Sequence, residues 1–161
     1  MNRHRLALML VAALAMVVPR AAAAADASRQ HDVERKSEQV MPFAMGATLH
    51  RFVPGPRGGM QIVTVRNGDA RQIQLVRAHL RKEAKAFARG DFADPAAIHG
   101  GTMPGLATLH AHARAVRVAY ADIPNGGRIT YTSDDPALIA AIHSWFKAQV
   151  SDHGDHATMH M

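Results

Sequence analysis

Two stretches of the chain repeat one pattern of apolar and polar positions. Thr48 to Val53 and Gln61 to Val65 are rich in β-branched and apolar residues, and Pro54-Gly55-Pro56-Arg57-Gly58-Gly59 separates them. Strand formers on either side of a Gly/Pro cluster predict a β-hairpin. The same order returns in Arg117 to Tyr120, Pro124-Asn125-Gly126-Gly127 and Arg128 to Thr132. Each hairpin is followed by an aspartate and then by apolar residues at matched offsets. Ile73, Val76 and Leu80 stand four, seven and eleven residues after Asp69; Ile139, Ile142 and Phe146 stand at the same offsets after Asp135. That spacing puts each trio on one helical face. Asp135-Pro136 adds an N-cap with proline at the first helical position.

The expected architecture is therefore a duplicated ββα unit: a four-stranded antiparallel sheet with two helices on one face, an α+β sandwich. Its ββαββα order is a circular permutation of the ferredoxin-like βαββαβ order. The halves fall at about 46–90 and 108–150, within a single domain over 41–151. Residues 90–107 join them and are dense in glycine and proline, which sets either a functional loop or a plain linker. Residues 26–40 are polar and charged without apolar period, and are read as a leader without structure. Residues 152–161 form a tail rich in histidine and methionine.

The N-terminus changes the setting. Arg3, His4 and Arg5 precede thirteen uncharged residues, Leu6 to Val18, and the run Ala21 to Ala25 follows. A positive segment, an apolar core and small residues at a cleavage point are the parts of a secretory signal peptide, here residues 1–25. Thirteen residues fall short of the about 20 that span a bilayer, so no membrane span is expected after cleavage. The expected location is periplasmic or secreted.

Charge and composition narrow the chemistry. The formal net charge of +6 falls to +3 when Arg3, Arg5 and Arg20 leave with the signal. The basic residues form no block and aromatics are few, which argues against nucleic acid as a partner. No cysteine is present, so disulfides and thiolate ligands are excluded. Histidine is the outlier: ten of eleven lie beyond the signal, together with six of the nine methionines. These are the nitrogen and thioether ligands available to an exported, cysteine-free chain.

Five residues are the candidate metal ligands: His79, His99, Met103, His143 and His153. His79 and His143 occupy corresponding regions of the two predicted helices, at the border between core and solvent. His99 and Met103 lie four apart in the joining loop, and His153 opens the tail segment Asp152-His153-Gly154-Asp155-His156. A thioether beside imidazoles favours copper, with zinc the other fit. The plainer readings are a core plug for Met103, half-buried structural histidines and a solvated tail. Glu83, one turn beyond His79, can orient that imidazole or act as a general base. His110 and His112 read as surface residues ahead of the third strand. No G-x-S-x-G elbow and no phosphate loop occurs.

Several strings become informative together: Leu75-Val76-Arg77-Ala78-His79-Leu80, Gly90-Asp91-Phe92, Ile98-His99-Gly100, Met103-Pro104-Gly105-Leu106, Ala141-Ile142-His143-Ser144-Trp145-Phe146 and Asp152-His153-Gly154. Jointly they resemble a family of small exported proteobacterial proteins that often carry the automatic name aspartate carbamoyltransferase. The similarity runs from about Met41 to Ala157. The resemblance implies that His79, His99, Met103, His143 and His153 belong to the family's pattern. Carbamoyl transfer is the remotest reading, because the Ser-Thr-Arg-Thr-Arg phosphate-binding segment and two-domain length of true aspartate carbamoyltransferases do not occur here.

The leading expectation is a periplasmic binder of a transition metal, copper favoured, for sequestration, delivery or resistance, working with a periplasmic metal-handling protein. The alternatives are a small periplasmic enzyme or small-molecule binder that uses His79 and His143 in acid-base chemistry, and a partner-binding module that dimerises through its sheet with structural histidines.

Overall fold

The computed structural model describes residues 18–160. The signal core and most of the signal read from the sequence lie outside those residues. The fold is α+β. Helix α1 (Val18–Val40) leads through a single 3-10 turn at Met45–Ala47 into strands β1 (Thr48–Gly55) and β2 (Gly58–Val65), then helix α2 (Ala70–Phe87). Two short helices follow, α3 (Ala93–His99) and α4 (Leu106–Ala111). Strands β3 (Arg117–Ile123) and β4 (Gly126–Thr132), helix α5 (Pro136–His153), a 3-10 turn at Gly154–His156 and strand β5 (Ala157–Met159) complete the order. Among the described residues no helix is long and apolar enough to cross a membrane.

The expected four antiparallel strands are present, but the sheet has five strands and is mixed. Its order is β3-β4-β2-β1-β5, and β5 joins β1 in parallel through His50↔Ala157 and Phe52↔Met159. The extra strand comes from the tail, where Ala157 packs at 5% exposure against the core. A three-residue strand is too short a signal to separate from a polar tail.

Register fixes which side chains face the helices. Pairings His50↔Val63, Val63↔Gly127 and Gln61↔Ile129 line up inward positions across three strands. Helix α2 reaches this face through Leu80 beside Gly127, and α5 reaches it through Phe146 beside Gly59. Both caps form as expected: Asp69 accepts from the Gln72 amide at 2.9 Å and Asp135 from the Ala137 amide at 2.8 Å. Each satisfies one of the amides that a helix start leaves unpaired. The core centres on Trp145, whose ring meets Phe87, Phe92 and Tyr131 edge-on. Edge-to-face contact is the arrangement that aromatic quadrupoles favour.

Two further expectations are corrected. Residues 26–40, read as a leader without structure, are helical. Val33 and Ser37, one turn apart, are 2% and 0% exposed, and α1 packs on α3 and α5. The buried stripe is too narrow to register as an apolar period, and its anchor is a charge, Arg29 on Asp152. The joining segment is likewise not a bare loop. Phe92, Pro95, Ile98 and His99 recur at helical spacing and are all buried, so α3 packs as a short amphipathic helix. His110 lies at the end of α4 and His112 just after it, not on a strand approach; both are exposed, and His110 Nδ1 donates to the Gly90 carbonyl at 2.7 Å.

Candidate functional site

A small cavity lies under the sheet's helical face, walled by β1, β2, α2, α3 and α5. It encloses about 30 Å³ and is lined by His50, Gln61, His79, Glu83, Asp94, His99 and Gln149, with Met41, Phe43, Leu80, Phe87, Pro95, Ile98 and Trp145 closing it. Free space of that size suits a water or a metal ion.

Local structure explains the polar lining. His79 and Glu83 stand four apart on α2, so they share one face. Asp94 lies in the first turn of α3 and His99 in its last. His50 sits between Thr48 and Phe52 at the inward positions of β1, where alternation places it in the core at 2% exposure. One nitrogen of His79, one oxygen of Glu83 and one oxygen of Asp94 lie within 4.8 Å of one another. Lys82 Nζ holds Asp94 at 2.7 Å and stands 3.6 Å from Glu83 Oε1.

Burial sets the charge states. It lowers the His79 imidazole to about 4, against the opposing pull of Asp94, so that ring is neutral near pH 7. Burial also raises the Glu83 carboxyl to about 7, with Asp94 adding to the effect and Lys82 opposing it. Asp94 itself is held low: burial works against this, and Lys82 and Glu83 outweigh it as hydrogen-bond partners. Oε1 of Glu83 is buried without a hydrogen-bond partner, and an unpaired buried oxygen costs free energy unless something binds there.

A second group of imidazoles adjoins this one. The His50 and His153 rings stand 5.4 Å apart, and the His99 ring meets His153 edge-on at 4.8 Å. Burial, helped by neighbouring His79, His156 and His99, lowers His50 to about 3. Burial likewise drives His153 well below the usual imidazole range. The Nε2 atoms of both rings are buried without partners. Asp152 terminates the group: His99 Nδ1 donates to it at 2.8 Å and Arg29 Nη2 at 2.7 Å.

Of the five residues expected from the sequence, the structure brings three together. His79 and His99 line the cavity, and His153 lies against His50 and His99. Met103 does not join them: it is 5% exposed within the apolar core and fills space between packed helices. His143 is also elsewhere. Its Nε2 donates to the carbonyls of Gly55 at 3.1 Å and Gly58 at 2.7 Å, so the ring closes the β1–β2 hairpin. That end of β1 is five residues from His50, roughly 16 Å at about 3.3 Å per residue. His143 does not line the cavity that His79 lines. Sequence reasoning missed His50 and Asp94. The inward parity of His50 in a strand was the available signal; Asp94 gave none until α3 was recognised.

No family model, curated protein or solved structure matches the chain.

Proposed function

We propose that the protein binds a divalent transition-metal ion in this cavity, with His79, Glu83 and Asp94 as ligands and His50 and His99 close by. The observation that carries the reading is an imidazole, a buried oxygen without a hydrogen-bond partner and a second carboxylate around a space of about 30 Å³. Organic ligands occupy pockets of roughly 300–1,000 Å³, so an ion suits the cavity better than a substrate. Two ligands on a tetrahedral ion stand about 3.3 Å apart when the bonds are about 2.0 Å. The donors close from 4.8 Å by side-chain rotation. The Lys82 side chain, 66% exposed, swings into solvent as the ion takes its place beside Asp94.

With Met103 outside the cavity the donor set is imidazole and carboxylate. That set suits Zn(II) and Cu(II), and gives no reason to prefer Cu(I). The signal-like segment Arg3 to Ala25 supports an exported, periplasmic role in sequestration or delivery of the ion. Cleavage within the alanine run removes only the first turns of α1 and keeps Arg29, Val33 and Ser37. We also infer that the two ββα units are a duplicated, permuted ferredoxin-like arrangement; the strand order β3-β4-β2-β1 and the matched caps at Asp69 and Asp135 support it.

The test is an equilibrium titration of protein purified without a histidine tag, using Zn(II) and Cu(II). His79→Ala and Glu83→Gln are expected to weaken cavity binding at least tenfold. Equal affinity in both variants and the parent protein would remove the reading.

A further inference from the structure

We propose that the outward face of the sheet docks a protein partner whose surface carries carboxylates on either side of an apolar patch, with Arg51 and Arg128 as the arginines that receive them. Helices α2 and α5 cover the other face, which they reach at Gly127 and Gly59. Strand alternation therefore turns Leu49, Arg51 and Val53 of β1, Met60 and Ile62 of β2 and Arg128 of β4 away from the core. None of these six is fully buried, and the four apolar ones stand outside the hydrophobic core. Val53 pairs with Met60 across the strands, and Ile62 follows Met60 on the same face, so the apolar side chains adjoin. Adjoining apolar side chains left open on a small domain mark a surface for a partner.

The register sets the charge beside that patch. Arg51 pairs with Ile62 and Ile62 with Arg128, so the two arginines flank one apolar side chain in a single cross-strand row. Two strand spacings of about 4.8 Å put their Cα atoms roughly 10 Å apart. The arginines that form ion pairs among the described residues are Arg29, Arg35, Arg57, Arg77 and Arg81; Arg51 and Arg128 form none. The Nε of each is buried without a hydrogen-bond partner, so each stem lies against its neighbours and holds the guanidinium in place. A held guanidinium loses little freedom when it takes a carboxylate through two parallel hydrogen bonds. Arg117, exposed on the edge strand β3, adds a third positive charge on the same face.

Charge complementarity identifies the occupant. The five strands contain one acidic residue, Asp122, and it turns to α2, where Arg77 and Arg81 pair with it. The outward face is therefore positive and without acid. A second copy of the chain would set arginine against arginine, which is costly at a desolvated contact. A nucleic-acid strand would find no aromatic platform, because Tyr120 and Tyr131 lie at inward positions of the sheet. A bilayer would find no aromatic side chain to take up there either. An acidic protein surface with an apolar centre meets both features of the face, and methionine and arginine are residue types enriched where proteins meet. The face lies on the opposite side of the sheet from the cavity and is independent of any ion there.

The experiment passes the full tag-free chain over three immobilised probes in surface plasmon resonance: a peptide repeating Glu-Ser-Leu-Ser-Glu, phosphatidylglycerol vesicles and a thymidine oligonucleotide. The peptide is expected to bind tightest, with an affinity that falls as salt rises. Arg51→Gln and Arg128→Gln are each expected to weaken it at least fivefold, with unchanged far-UV circular dichroism. Arg51→Lys, which keeps the charge and loses the planar fork, is expected to lie between. Arg89→Gln, an exposed position in the turn after α2, is expected to bind as the parent does. Amide shifts on adding the peptide are expected at Arg51, Ile62 and Arg128. Peptide affinity that is the same in the parent and in both glutamine variants would overturn the proposal. So would vesicles or oligonucleotide bound as tightly as the peptide, or a sedimentation dimer that Arg51→Gln and Arg128→Gln abolish.

Discussion

The Nδ1–H of His99 donates to Oδ2 of Asp152 at 2.8 Å, and Nη2 of Arg29 donates to the same oxygen at 2.7 Å. One acidic group, 4% exposed, thus ties α3 and α1 to the end of α5. It also puts the ring proton of His99 on Nδ1, the usual way a carboxylate fixes a tautomer. Burial alone raises the Asp152 pKa, yet the His99 and Arg29 hydrogen bonds outweigh it and hold the group low.

Removing Asp152 leaves two donors facing a buried site. Asp152→Ala is expected to cost about 2–4 kcal/mol in urea denaturation and to release protection of the α1 amides in hydrogen exchange. Arg29, with its side chain 52% exposed, contributes less; Arg29→Ala is expected to cost about 1 kcal/mol or less. Equal losses in the two variants would show that the charge pair, and not the buried carboxylate, does the tethering.

Acid should destabilise the chelator-treated protein well above the range of carboxylate titration. The imidazoles of an unfolded chain take up protons near pH 6.5. Folded His50 resists until about 3, because of burial and the neighbouring imidazoles of His79, His99 and His156. His153 and Asp152 adjoin the same cluster. The folded pKa lies below the unfolded one, so the unfolded state binds the proton first as pH falls from 6.5. Stability is therefore complete above about 6.5 and declines toward 3, by about 1.4 kcal/mol per pH unit for each such histidine. His50→Leu is expected to flatten the stability profile between pH 6 and 4 by about one proton. An unaltered slope would mean that His50 titrates normally in the folded state.

His143 and Met103 are expected to matter for stability and not for the ion. His143→Ala removes the two hydrogen bonds at the β1–β2 hairpin and should cost about 1–2 kcal/mol. Met103→Leu, a volume-conserving change, should cost under about 1.5 kcal/mol. A tenfold loss of Zn(II) affinity in either variant would put that residue back in the site.

Gly105 begins α4 at φ 80°, and a Cβ there would stand 2.1 Å from the Ala141 carbonyl oxygen. Both the conformation and the close approach to α5 require glycine. Gly105→Ala is expected to lose more than about 2 kcal/mol of stability, measured by calorimetry. A variant as stable as the parent would show that α4 can move off α5 without cost.

The hairpins and helices α2 and α5 were legible because each announces itself locally, through Gly/Pro turns, strand alternation and capped apolar offsets. Helix α1 was not, because Arg29, Val33 and Ser37 make a stripe only one side chain wide, and its partners Asp152 and His99 are distant in sequence. Strand β5 depends on β1 for its pairing and has no period of its own. At the site, His79 and Glu83 could be paired from their helical spacing. His50 was legible only through its inward parity in β1, and Asp94 emerged only once α3 was recognised. Met103 and His143 share composition with the site and not position, which shows that residue type identifies donors without saying where they gather.

The central claim is that His79, Glu83 and Asp94 close on one ion. The most direct measurement is anomalous diffraction from crystals of the tag-free protein grown with Zn(II). The expected result is an anomalous peak in the cavity with all three donors at about 2.0–2.2 Å and Lys82 turned away. A cavity without a peak, with Lys82 still bonded to Asp94 at saturating Zn(II), would contradict it.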